Sequence, residues 1–160
     1  NNRAEAFWMK KGILGDTVPL ELNAKELVHR NNKNSELTVY GYTPMMVSVQ
    51  CVQKTMDHCN HACVQYVLKD RYQKEFHGVC SCEFCYNTIY NTLPTSLLKE
   101  KEKAEKLGVK AYRLSFTTET QQETEKIVRA FVDVYLRGQK PDGQMQTEET
   151  TKGHFQRGVE

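Results

Sequence analysis

All six cysteines of this 160-residue chain fall between Cys51 and Cys85, and none lies outside that stretch. Their spacing is Cys51-x7-Cys59-x3-Cys63-x16-Cys80-x-Cys82-x2-Cys85. Thiols gathered this closely must be cross-linked, ligated or kept reduced, and each choice dictates a different local fold. A secreted chain with six cysteines admits three disulfides in many connectivities. In a cytosolic fold, clustered cysteines are more often metal ligands or redox groups. The βα pattern around the cluster is that of an intracellular enzyme, so the expectation is a metal or cluster site in a cytoplasmic protein. The Cys82-x2-Cys85 pair places two thiolates on one tight turn, a spacing that binds a single metal. Further cysteines across a hairpin allow four thiolates to enclose a zinc ion or an iron–sulfur cluster.

Outside the cysteine stretch, strands and helices alternate. Residues 3–11 carry a helical pattern that stops near Gly12. A strand is expected over 17–22, with Pro19 near its start. Asn23 then caps a helix to about His29, with Glu26 completing a capping box. Residues 36–40, rich in β-branched and aromatic side chains, predict the next strand. Within 42–85 the segments 66–68 and 75–79 predict a hairpin around the polar residues 69–74. Residues 87–90 read as a strand, and Pro94 and Ser96 as the opening of a helix that carries Leu97, Ala104 and Leu107 and closes at Gly108. Another strand is expected over 111–116. Thr120 and Glu123 form a capping box before the longest helix, whose Ile127, Ala130, Phe131 and Val134 make one apolar stripe ending at Gly138. Residues 140–152 are polar and without apolar pattern.

Strands near 18, 38, 89 and 114 suggest a parallel α/β sheet of four βα units, either a small open sheet or half of an eight-stranded barrel, the half barrel being preferred. The chain opens without Met, straight into a helical pattern. The expected fold is therefore the C-terminal half of a TIM-like barrel over 1–138, with a Cys-rich insertion at 42–85 and a linker and tail over 139–160. A simple barrel carries one difficulty. Cys51 follows one strand and Cys85 precedes another, which puts them at opposite ends of parallel strands unless residues 42–51 run back alongside. The formal net charge of +2 argues against a strong electrostatic nucleic-acid binder, though not against an RNA substrate. No apolar run is long enough to span a membrane.

Several motifs in fixed order carry a family resemblance. The segments are ELTVYGYTPMMVS at 36–48 followed by Cys51, LKDRY at 68–72 with Phe76, CEFCYNTIYN at 82–91, and KGHFQRGVE at 152–160, with similarity beginning at PLELN, 19–23. Together they resemble the U-32 peptidase family, the collagenase-like proteases. The resemblance implies a barrel-like α/β catalytic domain whose N-terminal half would be the chain's first partner, with RNA or protein as substrate. It also implies a four-cysteine site that holds an iron–sulfur cluster, of the four-iron four-sulfur type, in some relatives. Those relatives carry a first cysteine seven residues before the one matching Cys51, where this chain has Pro44. Its replacement is expected from the CxxC pair, so the ligand set is Cys51, Cys59, Cys82 and Cys85, with Cys63 and Cys80 as alternates. Zinc is the alternative occupant.

Other polar residues carry weaker signals. His58 and His61 flank Cys59 and could ligate or carry protons; solvent exposure is the commoner fate. Asp70 and Arg71 read better as a charged hairpin tip than as a catalytic pair. Glu21 and Asn23 stand at the strand end where barrel enzymes place their chemistry. Arg113, Ser115 and Glu119 belong to the last strand and its exit, and an inward-facing Arg113 would need an acidic partner or an anion. In the tail, Phe155 seals an apolar edge or Arg157, with His154, meets an anion. No nucleophile elbow, zinc-protease helix motif or phosphate-binding glycine loop is present. Three functions stay open: proteolysis, iron–sulfur-dependent hydroxylation of an RNA base or quinone precursor, and a structural zinc module.

Overall fold

The computed structural model describes residues 1–57, 59–141 and 149–158. In chain order the elements are α1 (Asn2–Lys10), β1 (Asp16–Thr17), α2 (Ala24–Leu27), β2 (Ser35–Gly41), β3 (Pro44–Ser48), α3 (Val52–Thr55), β4 (Gln65–Lys69), β5 (Glu75–Ser81), β6 (Tyr86–Tyr90), β7 (Thr95–Ser96), α4 (Lys101–Glu105), β8 (Ala111–Ser115) and α5 (Gln121–Phe131). They divide into two compact units. One is Asn1–Gly41 with the described residues from Thr95 onward; the other is Tyr42–Pro94.

The first unit is organised around β2. It pairs in parallel with β1 (Asp16↔Ser35) and with β8 (Glu36↔Ala111, Thr38↔Arg113), and antiparallel with the short β7 (Tyr40↔Ser96). Leu37, Val39 and Tyr40 of β2 are buried with Val18, Leu27, Leu97, Phe131, Val134 and Phe155. The strand expected over 17–22 is only two residues long, because Pro19 has no N–H to continue the ladder after Val18 donates to the Glu36 carbonyl. The helix expected from 94–96 is preceded by β7 and a 3₁₀ turn, Leu98–Glu100, so α-helix proper begins at Lys101. Gly41 ends β2 with a φ of +147°, and a Cβ there would sit 2.5 Å from the Ser115 carbonyl oxygen. Only glycine allows β2 and β8 to approach so closely at that point.

Both anticipated capping boxes are formed. The Glu26 amide donates to Asn23 Oδ1 (3.0 Å) while the Asn23 amide donates to Glu26 Oε2 (2.9 Å). The Thr120 amide donates to Glu123 Oε2 (2.6 Å) and the Glu123 amide to Thr120 Oγ1 (3.3 Å). Beyond Phe131, α5 continues as a π-helix over Val132–Leu136, keeping Val134 on the buried side, and the chain leaves through Gly138 at φ +72°.

Strand 87–90, expected beside β2, belongs to the second unit instead. There β3, β6, β5 and β4 lie in that order in one antiparallel sheet. Among the described residues the parallel strands are β1, β2 and β8, and no closed barrel forms. The expected hairpin is present as β4 and β5, paired from Gln65↔Val79 to Lys69↔Glu75. Periodicity identified 87–90 as a strand but carried no information on its partner. Direction and sheet membership are set by long-range pairing. Among the described residues no helix is long and apolar enough to cross a membrane.

The tail returns to the first unit. Ser96 donates its amide to the Thr151 carbonyl (2.8 Å), Lys152 pairs with Glu100, and Phe155 is buried in the core. Burial alone would raise the Glu100 pKa, but hydrogen bonds from Lys103 (Nζ–Oε2 2.6 Å) and Lys152 outweigh it and hold the carboxyl below its ordinary value. A folded pKa below the unfolded one gives stability that is full above the ordinary glutamate value of 4.5 and is lost as pH falls through the lower folded value. The urea midpoint is therefore expected to drop on acidification through that window, and to drop less in a Lys152→Gln chain. Phe155→Ala, which empties a buried ring site, is expected to destabilise the chain by about 3 kcal/mol in urea unfolding. A loss below about 1 kcal/mol would show that the tail does not seal the core.

Candidate metal centre

The antiparallel pairing of β3 with β6 assembles the cysteines. Its register runs Met46↔Ile89, Val47↔Thr88, Ser48↔Asn87. Because the two strands run in opposite directions, the exit of β3 and the entrance of β6 are at the same end of the sheet. Cys51 follows the first and Cys85 precedes the second, so the expected separation to opposite ends does not arise. The β5–β6 turn carries Cys82 and Cys85 at that end, directly after Ser81↔Tyr86. Asn87, 1% exposed, ties the two segments together by donating from Nδ2 to the Gln50 carbonyl at 2.7 Å.

Cys51, Cys59, Cys82 and Cys85 line one cavity of about 210 Å³, together with Lys54 and His61. No thiol–thiol hydrogen bond joins any two of these four among the described residues. Cys63 is exposed and is absent from the cavity wall. Cys80 is buried behind it, with its sulfur 3.7 Å from that of Cys51 and 3.6 Å from that of Cys82. Cys80, an alternate ligand by sequence, is a free buried thiol that touches two members of the expected ligand set. Cys82 also donates to the Ala62 carbonyl at 2.8 Å, and Cys85 to the Cys82 carbonyl at 3.7 Å.

Two wall residues, His61 (φ +57°) and Cys85 (φ +52°), adopt left-handed backbone that non-glycine residues seldom take. Such conformations cost energy and gather at functional sites. The thiols also differ electrostatically. Cys51 begins the short helix α3, and the backbone N–H of Lys54, although it closes no cap hydrogen bond, holds the Cys51 thiol below its usual range, with the Lys54 charge acting in the same direction. Burial pushes Cys80 up to about 12, helped by its contacts with Cys82 and Cys51. Cys51 is thus held below an ordinary thiol and Cys80 above it.

Among the described residues, no three His, Cys, Asp or Glu side chains already converge on a metal-sized point. The donor set nevertheless fits a cysteine-ligated group: four thiols on one cavity wall and a lysine beside them. The Tyr66 hydroxyl, which lines a separate cavity with Met46, Gln50 and Ile89, is buried with no hydrogen-bond partner among the described residues. Burial raises its pKa, and the charges of Cys80 and then Cys51 act the same way, which places the hydroxyl within electrostatic reach of both sulfurs. Gly78 makes room for the ring, since a Cβ there would lie 2.3 Å from Tyr66 Cε2 and Cζ. Tyr66 was not singled out by sequence reasoning. Its place on β4 opposite Gly78 is a cross-strand signal that exists only once the hairpin register is known.

The remaining sequence candidates serve structure. Asp70 accepts from the Tyr72 (2.7 Å) and Lys74 (2.9 Å) amides at the hairpin tip, and Arg71 stacks on Tyr72. Asn23 is spent on its cap, and Glu21 is exposed. Arg113 is half exposed on β8 and pairs with Glu36. Glu119 accepts from the Thr117 and Thr118 amides, and Ser115 lies against Gly41. In the tail, His154 Nδ1 meets the Gly158 carbonyl at 3.0 Å and Arg157 is exposed. His58 and the last two residues of the KGHFQRGVE segment lie outside the described residues. A wider cavity of about 430 Å³ in the first unit, lined by Asp16, Ser35, Glu36 and Lys110 among others, has its acids already engaged: Asp16 by Arg30 and Ser35, Glu36 by Thr17 and Arg113.

Comparison with family models, curated proteins and solved structures finds no match to the chain. Removing a buried hydroxyl that has no partner should cost little in the metal-free chain, because the desolvation penalty disappears with it. Tyr66→Phe is therefore expected to leave the urea midpoint of the metal-free chain unchanged or slightly raised. A destabilisation above about 1 kcal/mol would show that the hydroxyl is already bonded.

Proposed function

We propose that residues 42–94 are a cysteine-ligated metal centre, iron–sulfur in character, within a U-32 peptidase family protein. In this reading the first unit belongs to the C-terminal half of a TIM-like barrel. The observation that carries the proposal is the single cavity walled by Cys51, Cys59, Cys82 and Cys85. The ordered motifs around it, from ELTVYGYTPMMVS to KGHFQRGVE, support the family reading. A cubane cluster binds one thiolate at each iron and so needs its thiolates apart rather than touching. The absence of thiol–thiol hydrogen bonds within these four agrees with that need. The bound group would supply one-electron chemistry or a Lewis-acid site.

The protein's own residues would have defined tasks. Cys51 offers the thiol most ready to ionise. Lys54 offsets the negative charge that several thiolates bring to the wall. Tyr66 lines a separate cavity with Met46, Asn87 and Ile89, and its hydroxyl acts on the centre only through the charges of Cys80 and Cys51. Proteolysis is the activity that the family name suggests. No hydrogen-bonded nucleophile–histidine pair is present among the described residues, so any peptide cleavage is assigned to the whole protein rather than to this chain alone. Hydroxylation of an RNA base or a quinone precursor is the second activity compatible with an iron–sulfur centre in this family.

Anaerobic reconstitution with iron and sulfide, followed by metal analysis and an absorption spectrum, tests the proposal. The chain is expected to take up iron with sulfide. Cys82→Ser or Cys85→Ser is expected to lose most of it, whereas Cys63→Ser keeps it. A chain that binds no iron, or equal loss in all three variants, would sink the assignment.

A further inference from the structure

The buried thiol of Cys80 has no task in a centre made by the four wall cysteines, yet its sulfur is the one nearest to both Cys51 and Cys82. In a tetrahedral thiolate site with metal–sulfur bonds near 2.3 Å, ligand sulfurs stand about 3.8 Å apart. The observed separations of 3.7 Å (Cys51–Cys80) and 3.6 Å (Cys80–Cys82) match that edge length. Such contacts are shorter than those needed by thiolates attached to separate irons.

We propose that Cys51, Cys80 and Cys82 form a mononuclear thiolate site for a zinc-class divalent ion, overlapping the four-cysteine cavity but using a different ligand set. Cys80 is the thiol particular to this site, and Cys59 the one particular to the cluster site. Two of the three sulfur–sulfur edges are present. The third closes when the Cys82 thiol gives up its hydrogen bond to the Ala62 carbonyl, a bond that a metal-bound thiolate cannot donate. The fourth position faces the cavity, where Cys85 and His61 stand. Because Cys51 and Cys82 belong to both sets, one chain holds either the single ion or the cluster, not both. The position of Cys80 on β5 supports a built site: its amide is bonded to the Val64 carbonyl at 2.9 Å and its strand neighbour is Asn87.

The test uses the full 160-residue chain, reduced, metal-free and anaerobic, with zinc as the probe. One zinc per chain is expected. Cys80→Ala is expected to weaken zinc binding at least tenfold while leaving reconstituted iron and sulfide unchanged, and Cys59→Ala to do the reverse. X-ray absorption at the zinc edge of the unmutated chain is expected to count at least three sulfur ligands, a readout independent of whether any variant folds. Fewer than three sulfurs, unchanged zinc affinity in Cys80→Ala, or parallel loss of iron and zinc in that variant overturns the proposal. Failure to take up iron in any form would sink the cluster reading alone and leave the zinc result standing.

Discussion

The antiparallel pairing of β3 with β6 is the constraint on which the candidate centre depends. Reversing one strand brings the exit of β3 and the entrance of β6 to one end of the sheet, and that end is where five of the six cysteines are drawn together. A parallel arrangement of the same two strands would leave Cys51 and the Cys82–Cys85 turn a strand length apart. The pairing is held by more than its ladder. Asn87 is buried, donates to the Gln50 carbonyl, and fixes the start of β6 against the segment that leads to Cys51. Register in the neighbouring β5–β6 pairing matters as well, because a slip of one residue in β5 would turn Cys80 out of the interior.

The thiols arranged by that sheet are not equivalent. Cys51 faces backbone N–H groups and a lysine, both of which favour thiolate; Cys80 is desolvated, which favours thiol. A desolvated thiol such as Cys80 becomes a ligand only when a cation compensates the charge it acquires.

The first unit is stabilised by conventional means: two capping boxes, an apolar stripe on α5, and a tail that plugs the core with Phe155 and clamps Glu100 between two lysines. Much of this was legible in the residues. Asn23 with Glu26 and Thr120 with Glu123 announce helix starts through local hydrogen bonding, which needs no tertiary context. The 3.6-residue spacing of Ile127, Ala130, Phe131 and Val134 announces a buried face. The extent of β1 was misjudged because the apolar residues beyond Pro19 suggest a strand that the missing N–H cannot sustain.

The sequence by itself determined the local chemistry: where helices begin, where the hairpin turns, and that a CxxC turn and four further thiols lie close along the chain. These follow from interactions between residues a few positions apart. Tertiary structure alone decided that 86–90 runs antiparallel beside β3, that Cys51, Cys59, Cys82 and Cys85 share a cavity, and that Cys80 touches Cys51 and Cys82 from behind. Strand direction and partner choice arise from pairing across long loops, and one-dimensional periodicity is the same whichever way a strand runs. The thiol-rich stretch was therefore visible from the chain, and its geometry only from the fold.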